Sequence, residues 1–119
     1  MLDRLPRTLL RIEGLALAGA AIAVYVHKDY SWVLLAALAL APDLAFAAYA
    51  LGPRFGALAY DLTHTEFFPL ALAASCAVSD AEHGIAIALV WLAHIGVDRM
   101  LGYGLKYPTA FGDTHLQRV

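Results

Sequence analysis

The sequence predicts an all-α integral membrane bundle of four transmembrane helices, with up-down topology and both termini in the cytoplasm. Composition, the apolar runs and the distribution of basic residues support this fold class. The chain has 119 residues, of which 61% are hydrophobic and 15% are charged. A soluble domain typically has about 45–50% apolar and about 25% charged residues. We therefore expect one membrane domain over residues 1–119.

Four apolar segments are long enough to cross a bilayer, which takes roughly 20 residues per helix. They are residues 8–26, 31–51, 54–78 and 84–103. The sequences between them, HKDYS, GP and SDAEH, are turn signals, and such short links predict antiparallel neighbours. The tail, residues 104–119, mixes glycines, aromatics and polar residues, so we expect it to fold back beneath the bundle on the cytoplasmic side.

The basic residues give the orientation. With four spans, both chain ends and the Gly52–Pro53 turn share one side of the membrane. That side carries all of the eight lysine and arginine residues except Lys28. Cytoplasmic loops are enriched in basic residues, so this side is predicted to be the cytoplasm.

Charge and cysteine content argue against nucleic-acid binding and against sites that need several cysteines. A net charge of −2 without a basic patch argues against nucleic-acid binding. A single cysteine, Cys76, excludes an intrachain disulfide and a multi-cysteine metal cluster.

Ionisable residues occur at one depth within the predicted spans. Counted at about 1.5 Å per residue, they lie roughly 8–15 Å from the cytoplasmic helix ends, with Glu66 slightly deeper. Such groups are costly in a bilayer and usually face the bundle interior. We interpret them as one pocket open to the cytoplasm, although interhelical hydrogen bonding is an alternative. The residues are Glu13, Asp43, Asp61, His64, Glu66, His94 and Asp98.

Some of these side chains can converge on a metal ion. His94 and Asp98 are spaced i, i+4 and share a helix face. With His64 and Asp43 from two other helices, they would supply four nitrogen and oxygen ligands. A ligand set without thiolates suits a divalent metal, zinc first and then manganese or iron. Asp61, spaced i, i+3 from His64, is a candidate general base.

Prolines lie near two of these residues. Pro42 is expected to free the carbonyl of Leu38 beside Asp43, and Pro69 to free the carbonyl of Thr65 and kink the third helix. Distorted helices beside buried carboxylates are a common basis for intramembrane sites.

Other polar residues are candidates for accessory roles. Glu13 is a second candidate general base. His115 could be a further ligand or a proton shuttle at the pocket mouth, and Arg99 could bind an anionic head group there. Glu66, rotated about 200° from His64 on a regular helix, is expected to point elsewhere, for example toward an oligomer interface.

Three motifs carry a resemblance to a known family. RIEG (11–14), APDLAFAAYALGPRFGALAYDLTHT (41–65) and WLAHIGVDRMLGYGLKYPTAFGDTHL (91–116) resemble the bacterial membrane family named domain of unknown function 4260. The resemblance covers nearly the whole chain. It implies a small four-helix protein of the bacterial inner membrane and no particular activity.

A looser resemblance concerns inner-membrane metal-dependent hydrolases of the YdjM type. Those proteins carry PD, TH and HxxxD segments in the order seen here at Pro42–Asp43, Thr63–His64 and His94–Asp98. The resemblance implies that Asp43, His64, His94 and Asp98 are metal ligands. This chain departs from the pattern with Ala45 in place of a second aspartate, and with Ala59 and Tyr60 in place of the usual HR.

The leading hypothesis is a metal-dependent hydrolase that acts on a lipid-like or phosphoester substrate from the cytoplasmic leaflet, with Arg99 or Lys106 near the substrate's charge. One alternative is a homo-oligomeric proton or ion transporter or channel, because such relays also use buried Asp, Glu and His. A structural membrane subunit is the third hypothesis.

Overall fold

The structure, a computed structural model, describes residues 4–106 and 114–118. Within these residues all regular secondary structure is helical, apart from an isolated antiparallel bridge between Lys106 and Thr114. This confirms the predicted all-α class. The elements are α1 (Leu5–His27), α2 (Trp32–Leu38), a 3-10 helix (Ala41–Leu51), α3 (Pro53–His64), α4 (Phe67–Val78), α5 (Glu82–Leu101) and α6 (His115–Arg118).

Among residues 4–106 and 114–118, three segments are long and apolar enough to cross a membrane: α1, the segment Trp32–Leu51 and α5. Two predicted helices are interrupted. The helix expected over 31–51 consists of α2 and the 3-10 helix, and the helix expected over 54–78 consists of α3 and α4. The second break lies at Thr65, whose backbone is extended (φ −95°, ψ 139°). Because Pro69 has no N–H, it cannot donate to the carbonyl of Thr65.

Of the described elements, α1 and α5 share the most extensive contact. A Cβ atom on Gly96 would lie 2.5 Å from the backbone nitrogen of Ala18 and 2.7 Å from the carbonyl oxygen of Gly14. A Cβ on Gly14 would in turn lie 2.7 Å from the carbonyl oxygen of Gly96. The two backbones therefore touch where both helices have glycine, as in close-packed transmembrane pairs.

The apolar core lies between α1 and α5 on the side of the 28–31 turn. It consists of Ala21, Tyr25, Ala86, Leu89, Val90, Leu92 and Ala93. Polar contacts close this end of the bundle: the Tyr30 hydroxyl donates to Glu82, and Lys28 lies 3.5 Å from the same carboxylate. Burial and the neighbouring Glu82 raise the pKa of Tyr30 to about 12.

The end of the chain contacts the beginning of α1. Arg7 donates from Nε to the carbonyl of Leu116 (2.7 Å) and from Nη2 to the carbonyl of Gln117 (2.9 Å). Leu116 is fully buried, and the Gln117 side chain donates to the carbonyl of Gly102. The described part of the tail thus folds back onto the bundle, while residues 107–113 and 119 lie outside the described residues.

Candidate metal centre

A proline in the 3-10 helix positions His94. In a 3-10 helix each N–H bonds to the carbonyl three residues earlier, as Asp43 N does to the carbonyl of Leu40 (3.0 Å). Pro42 lacks this donor, so the carbonyl of Ala39 accepts a hydrogen bond from His94 Nδ1 instead (2.6 Å). The carbonyl used here is therefore that of Ala39, and not that of Leu38 as an α-helical register predicts.

The break between α3 and α4 positions His64, the last residue of α3. In a continuous helix, two carbonyls at this point would accept hydrogen bonds from backbone N–H groups of the next turn. Here they accept hydrogen bonds from side chains of α5 instead. Trp91 Nε1 donates to the carbonyl of Thr63 (2.5 Å), and Arg99 Nη2 donates to that of His64 (2.9 Å). Arg99 also donates to the carbonyl of Tyr103 (3.0 Å) and is buried. The structure therefore places Arg99 inside the protein, where it supports the backbone.

Four side-chain atoms converge between the 3-10 helix, α3 and α5. They are Asp43 Oδ1, His64 Nε2, His94 Nε2 and Asp98 Oδ2. Five of the six distances among them are 3.1–3.3 Å. The sixth, between the two carboxylate oxygens, is no more than 4.8 Å. The structure thus brings together the four residues that the sequence suggested as ligands.

Hydrogen bonds to carbonyl groups indicate the tautomer of both histidines. His94 Nδ1 faces the carbonyl of Ala39, and His64 Nδ1 faces the carbonyl of Tyr60 at 2.9 Å. A carbonyl oxygen only accepts, so each Nδ1 is inferred to carry the proton. Each neutral ring then has a lone pair on Nε2, directed at the other ring and at two carboxylate oxygens. Metal-binding histidines commonly donate their second nitrogen in this way.

The convergence of two imidazole nitrogens and two carboxylate oxygens leaves a centre that could hold a cation. A tetrahedral site with metal–ligand distances of about 2.0 Å has ligand atoms about 3.3 Å apart. The measured distances of 3.1–3.3 Å agree with such a site. Two carboxylates balance a divalent ion, and nitrogen and oxygen ligands suit zinc. The geometry and charge of the residues therefore fit a divalent metal.

Access to the cluster is from its carboxylate side. The exposed fraction of the side chain is 31% for Asp43 and 16% for Asp98, but 6% for His94 and 0% for His64. A cavity of about 290 Å³ adjoins the two carboxylates, and its other lining residues are Phe46, Tyr60, Tyr103 and Lys106. A water molecule or a substrate oxygen can therefore approach between Asp43 and Asp98.

Tyr60 was not among the residues that the sequence suggested for the site. Its ring stacks on the ring of His64 with centroids 3.7 Å apart, and its hydroxyl lies 3.5 Å from Asp98 Oδ2. Its carbonyl also fixes the tautomer of His64. The i, i+4 spacing of the two residues on α3 is the signal that could have indicated this contact.

The remaining candidate residues lie around the cluster. Asp61 Oδ1 accepts a hydrogen bond from the backbone N of Lys106 (2.6 Å), and Asp61 lines a second cavity. Glu13 lies on an exposed face of α1, and Glu66 is exposed at the α3–α4 break. His115 Nδ1 accepts from the backbone N of Leu105 (2.7 Å). Burial lowers the pKa of His115.

One comparison with known proteins gave a match. The family model described as domain of unknown function (DUF4260) matches residues 7–119. No curated protein and no solved structure matches the chain.

Proposed function

The chain belongs to the family of domain of unknown function 4260, and we propose that it is a membrane protein that uses a divalent metal to hydrolyse a lipid-like or phosphoester substrate. The observation that carries this proposal is the convergence of two imidazole Nε2 atoms and two carboxylate oxygens beside a cavity. Interhelical hydrogen bonding alone does not require two lone pairs to face each other.

The proposed reaction divides the work among the residues around the cavity. When bound, a divalent ion supplies a Lewis acid and lowers the pKa of water. Asp43 and Asp98 would hold the ion on the side that faces the cavity, where water can reach it. His64 and His94, which are buried, would hold it on the opposite side. Asp61 and Glu13 stay predicted general bases. Asp61 has the stronger support, since it binds the backbone of Lys106, which lines the cavity.

The membrane arrangement is part of the proposal. We place four crossings in a bacterial inner membrane, with α3 and α4 together forming the third and both termini in the cytoplasm. The one-sided basic residues support this orientation. The contact of Arg7 with Leu116 supports having both ends on one side. A homo-oligomer stays a prediction.

The first test is the metal content of the purified protein. We expect about one equivalent of zinc per chain for a site of this kind, measured by element-specific mass spectrometry. His64→Ala and His94→Ala should each lose the metal. The control is His83→Ala, because His83 is exposed near the start of α5 and is not part of the cluster. Absence of stoichiometric metal in the wild type, or full retention in His94→Ala, would contradict the proposal.

Hydrolysis is tested on the same samples. Metal-loaded protein should cleave p-nitrophenyl phosphate or a p-nitrophenyl fatty ester, and a chelator should abolish cleavage until metal is added back. Asp61→Asn should keep the metal and lose turnover if Asp61 is the base. If the protein binds metal but cleaves neither compound, the metal has a structural role and the enzymatic part of the proposal is wrong.

A further inference from the structure

The first turns of α1 carry positive charge on one face. Residues 4–12 contain three arginines, Arg4, Arg7 and Arg11, and no aspartate or glutamate. At about 100° per residue, the three arginines lie within about 60° of one another around the helix axis. Glu13 is rotated by about 200° from Arg11, so it lies on the other side of α1. The end of α1 that the proposed orientation places in the cytoplasm therefore has a basic face.

Backbone carbonyl groups orient two of these arginines. Arg7 donates to the carbonyls of Leu116 and Gln117. Arg11 donates from Nε to the carbonyl of Met100 (2.8 Å). A carbonyl oxygen is neutral, so these hydrogen bonds fix the guanidinium groups without neutralising their charge. A guanidinium has five N–H donors in a planar fork, and its two Nη groups suit two oxygens of one phosphate.

A cavity adjoins Arg11 in the groove between α1 and the end of α5. It has a volume of about 260 Å³ and is lined by Thr8, Arg11, Ile12, Leu15 and Met100. Ile12 and Leu15 are each 54% exposed. At about 1.5 Å per residue, Leu15 lies about 6 Å further along α1 than Arg11, toward the middle of this candidate membrane span. The groove is thus charged near the helix end and apolar at greater depth.

This order of side chains matches the order of groups in a phospholipid of the adjoining leaflet. A phospholipid places its phosphate at the membrane surface and its acyl chains in the hydrocarbon core. A soluble phosphate compound would pair with Arg11 but would leave Ile12 and Leu15 uncovered. Basic side chains near a membrane surface attract anionic lipids, and a zwitterionic headgroup has no net charge to answer them. The groove therefore favours an anionic phospholipid.

We propose that the groove is a binding site for an anionic phospholipid, which lies in the cytoplasmic leaflet in the proposed orientation. Arg11 binds the phosphate, while Arg4 and Arg7 add positive charge on the same face. One acyl chain lies against Ile12 and Leu15. The bound lipid contacts both α1 and the end of α5. This site is separate from the proposed metal centre and does not depend on it.

Photolabelling locates the lipid on the wild-type protein. The protein is reconstituted in phosphatidylcholine vesicles that contain a small fraction of phosphatidylglycerol with a diazirine in the upper part of one acyl chain. After illumination, peptide mass spectrometry should find the label at Ile12, Leu15 or Met100. A phosphatidylcholine probe with the same diazirine should label these residues about fivefold less or weaker still, the difference that one basic side chain near a membrane surface makes.

Variants test the role of the arginine. Arg11→Gln should lower labelling of the cavity by phosphatidylglycerol about fivefold or more. Arg11→Lys keeps the charge but loses the planar fork, so its labelling should lie between Arg11→Gln and the wild type. Arg54→Gln is the matched control, because it removes the same charge from an exposed arginine at the start of α3. It should be labelled like the wild type.

Competition distinguishes a lipid from a soluble phosphate compound. Unlabelled phosphatidylglycerol should displace the probe, whereas glycerol 3-phosphate at the same total concentration should not, because it has no acyl chain to lie against Ile12 and Leu15. Displacement by both compounds to the same extent would make the cavity a site for soluble phosphates and overturn the lipid assignment.

The remaining outcomes decide whether the site is specific. Equal labelling by the two lipid probes, or an equal decrease in Arg11→Gln and Arg54→Gln, would indicate general attraction to surface charge and overturn the site. Label found only at other residues of the wild type would overturn it too, even if Arg11→Gln does not fold. Labelling of the cavity that prefers phosphatidylglycerol and decreases in Arg11→Gln but not in Arg54→Gln supports the site. None of these outcomes depends on zinc, so the proposed function is tested separately.

Discussion

At the scale of single residues, type and depth group seven ionisable residues in one half of the membrane. The four candidate ligands among them follow from the i, i+4 spacing of His94 and Asp98 and from imidazole and carboxylate groups on two other helices, His64 and Asp43. Glu13 has the same depth but lies on an exposed face of α1. The position of a residue along a helix determines only its depth in the membrane. Its direction depends on how the helices pack, which a single sequence does not specify.

The interactions that hold the ligands were harder to foresee. The bond from His94 to the carbonyl of Ala39 exists because the backbone around Pro42 is a 3-10 helix. The presence of Pro42 predicts a distortion, but the choice between the carbonyls of Leu38 and Ala39 depends on the helical register. The 3-10 helix packs against α3, and a single sequence does not specify such tertiary contacts or the hydrogen-bond register that accompanies them.

Replacing Pro42 tests this support of His94. In Pro42→Ala the new N–H competes for the carbonyl of Ala39, so His94 loses part of the bond that fixes its tautomer. Loss of such a partner typically costs about 10- to 100-fold in metal affinity. We expect zinc affinity, measured by competition with a chromogenic chelator, to fall by about tenfold or more. Pro6→Ala should have no effect, since Pro6 lies at the start of α1, where its N–H has no partner in the helix. Equal zinc affinity in the two variants would contradict this account.

At the scale of elements, the contact of α1 with α5 determines where α5 lies, and with it His94 and Asp98. Gly14 and Ala18 are small residues one turn apart on α1, and small residues allow helices to pack closely. Their spacing does not identify Gly96 as the partner of Gly14. Such a pairing requires the crossing point of two helices, which depends on their relative shift and is not encoded in the local pattern of either.

Gly96→Leu tests this crossing. The added side chain would overlap the backbone of Ala18 and force the helices apart, which costs about 1–3 kcal/mol or more of stability. We expect a lower unfolding temperature in detergent and, because α5 moves, weaker zinc binding. Gly19→Leu is the control, since a Cβ at Gly19 would have no atom of another described element within 4 Å. The account fails if both variants unfold at the wild-type temperature.

The break between α3 and α4 shows what a proline predicts and what it does not. Pro69 indicated a distorted third helix, and the structure has a complete interruption at Thr65. The interruption is stable because Trp91 and Arg99 donate to the freed carbonyls of Thr63 and His64. These donors come from another helix, far away in the sequence, so the size of the distortion follows from tertiary structure.

Docking of α6 should depend on pH through His115. Its Nδ1 accepts from the backbone N of Leu105, which requires an unprotonated Nδ1, and burial lowers its pKa. A histidine with a lowered pKa stabilises the docked state fully above its unfolded pKa of about 6.5 and loses this contribution as the pH falls below it. We expect faster hydrogen exchange at Leu105 and α6 below about pH 6.5, after correction for intrinsic rates. The pH dependence should disappear in His115→Gln and persist in His27→Gln. Its persistence in His115→Gln would assign the effect to another group.

At the scale of the whole molecule, the number of membrane crossings depends on α3 and α4. Each has 12 residues, which is too short alone, but their 24 residues at about 1.5 Å per residue give about 36 Å, enough for a hydrocarbon core of about 30 Å. Arg7 contacts Leu116, so α1 begins on the side where α5 and the tail end. An even number of crossings satisfies this contact, whereas the three long apolar segments alone do not.

Reporter fusions decide between these arrangements. Alkaline phosphatase, active only outside the cytoplasm, should be active when inserted at Asp29 and at Asp80, the positive-φ turns before α2 and α5. It should be inactive at Gly52 and at the C-terminus, where a fluorescent-protein fusion should fluoresce. The site at Asp80 is decisive, because it reaches the outer side only if α3 and α4 cross the membrane together. An inactive fusion at Asp80 with an active one at Asp29 would make α3 and α4 a re-entrant pair. The carboxylate-lined cavity would then need a different orientation relative to the cytoplasm.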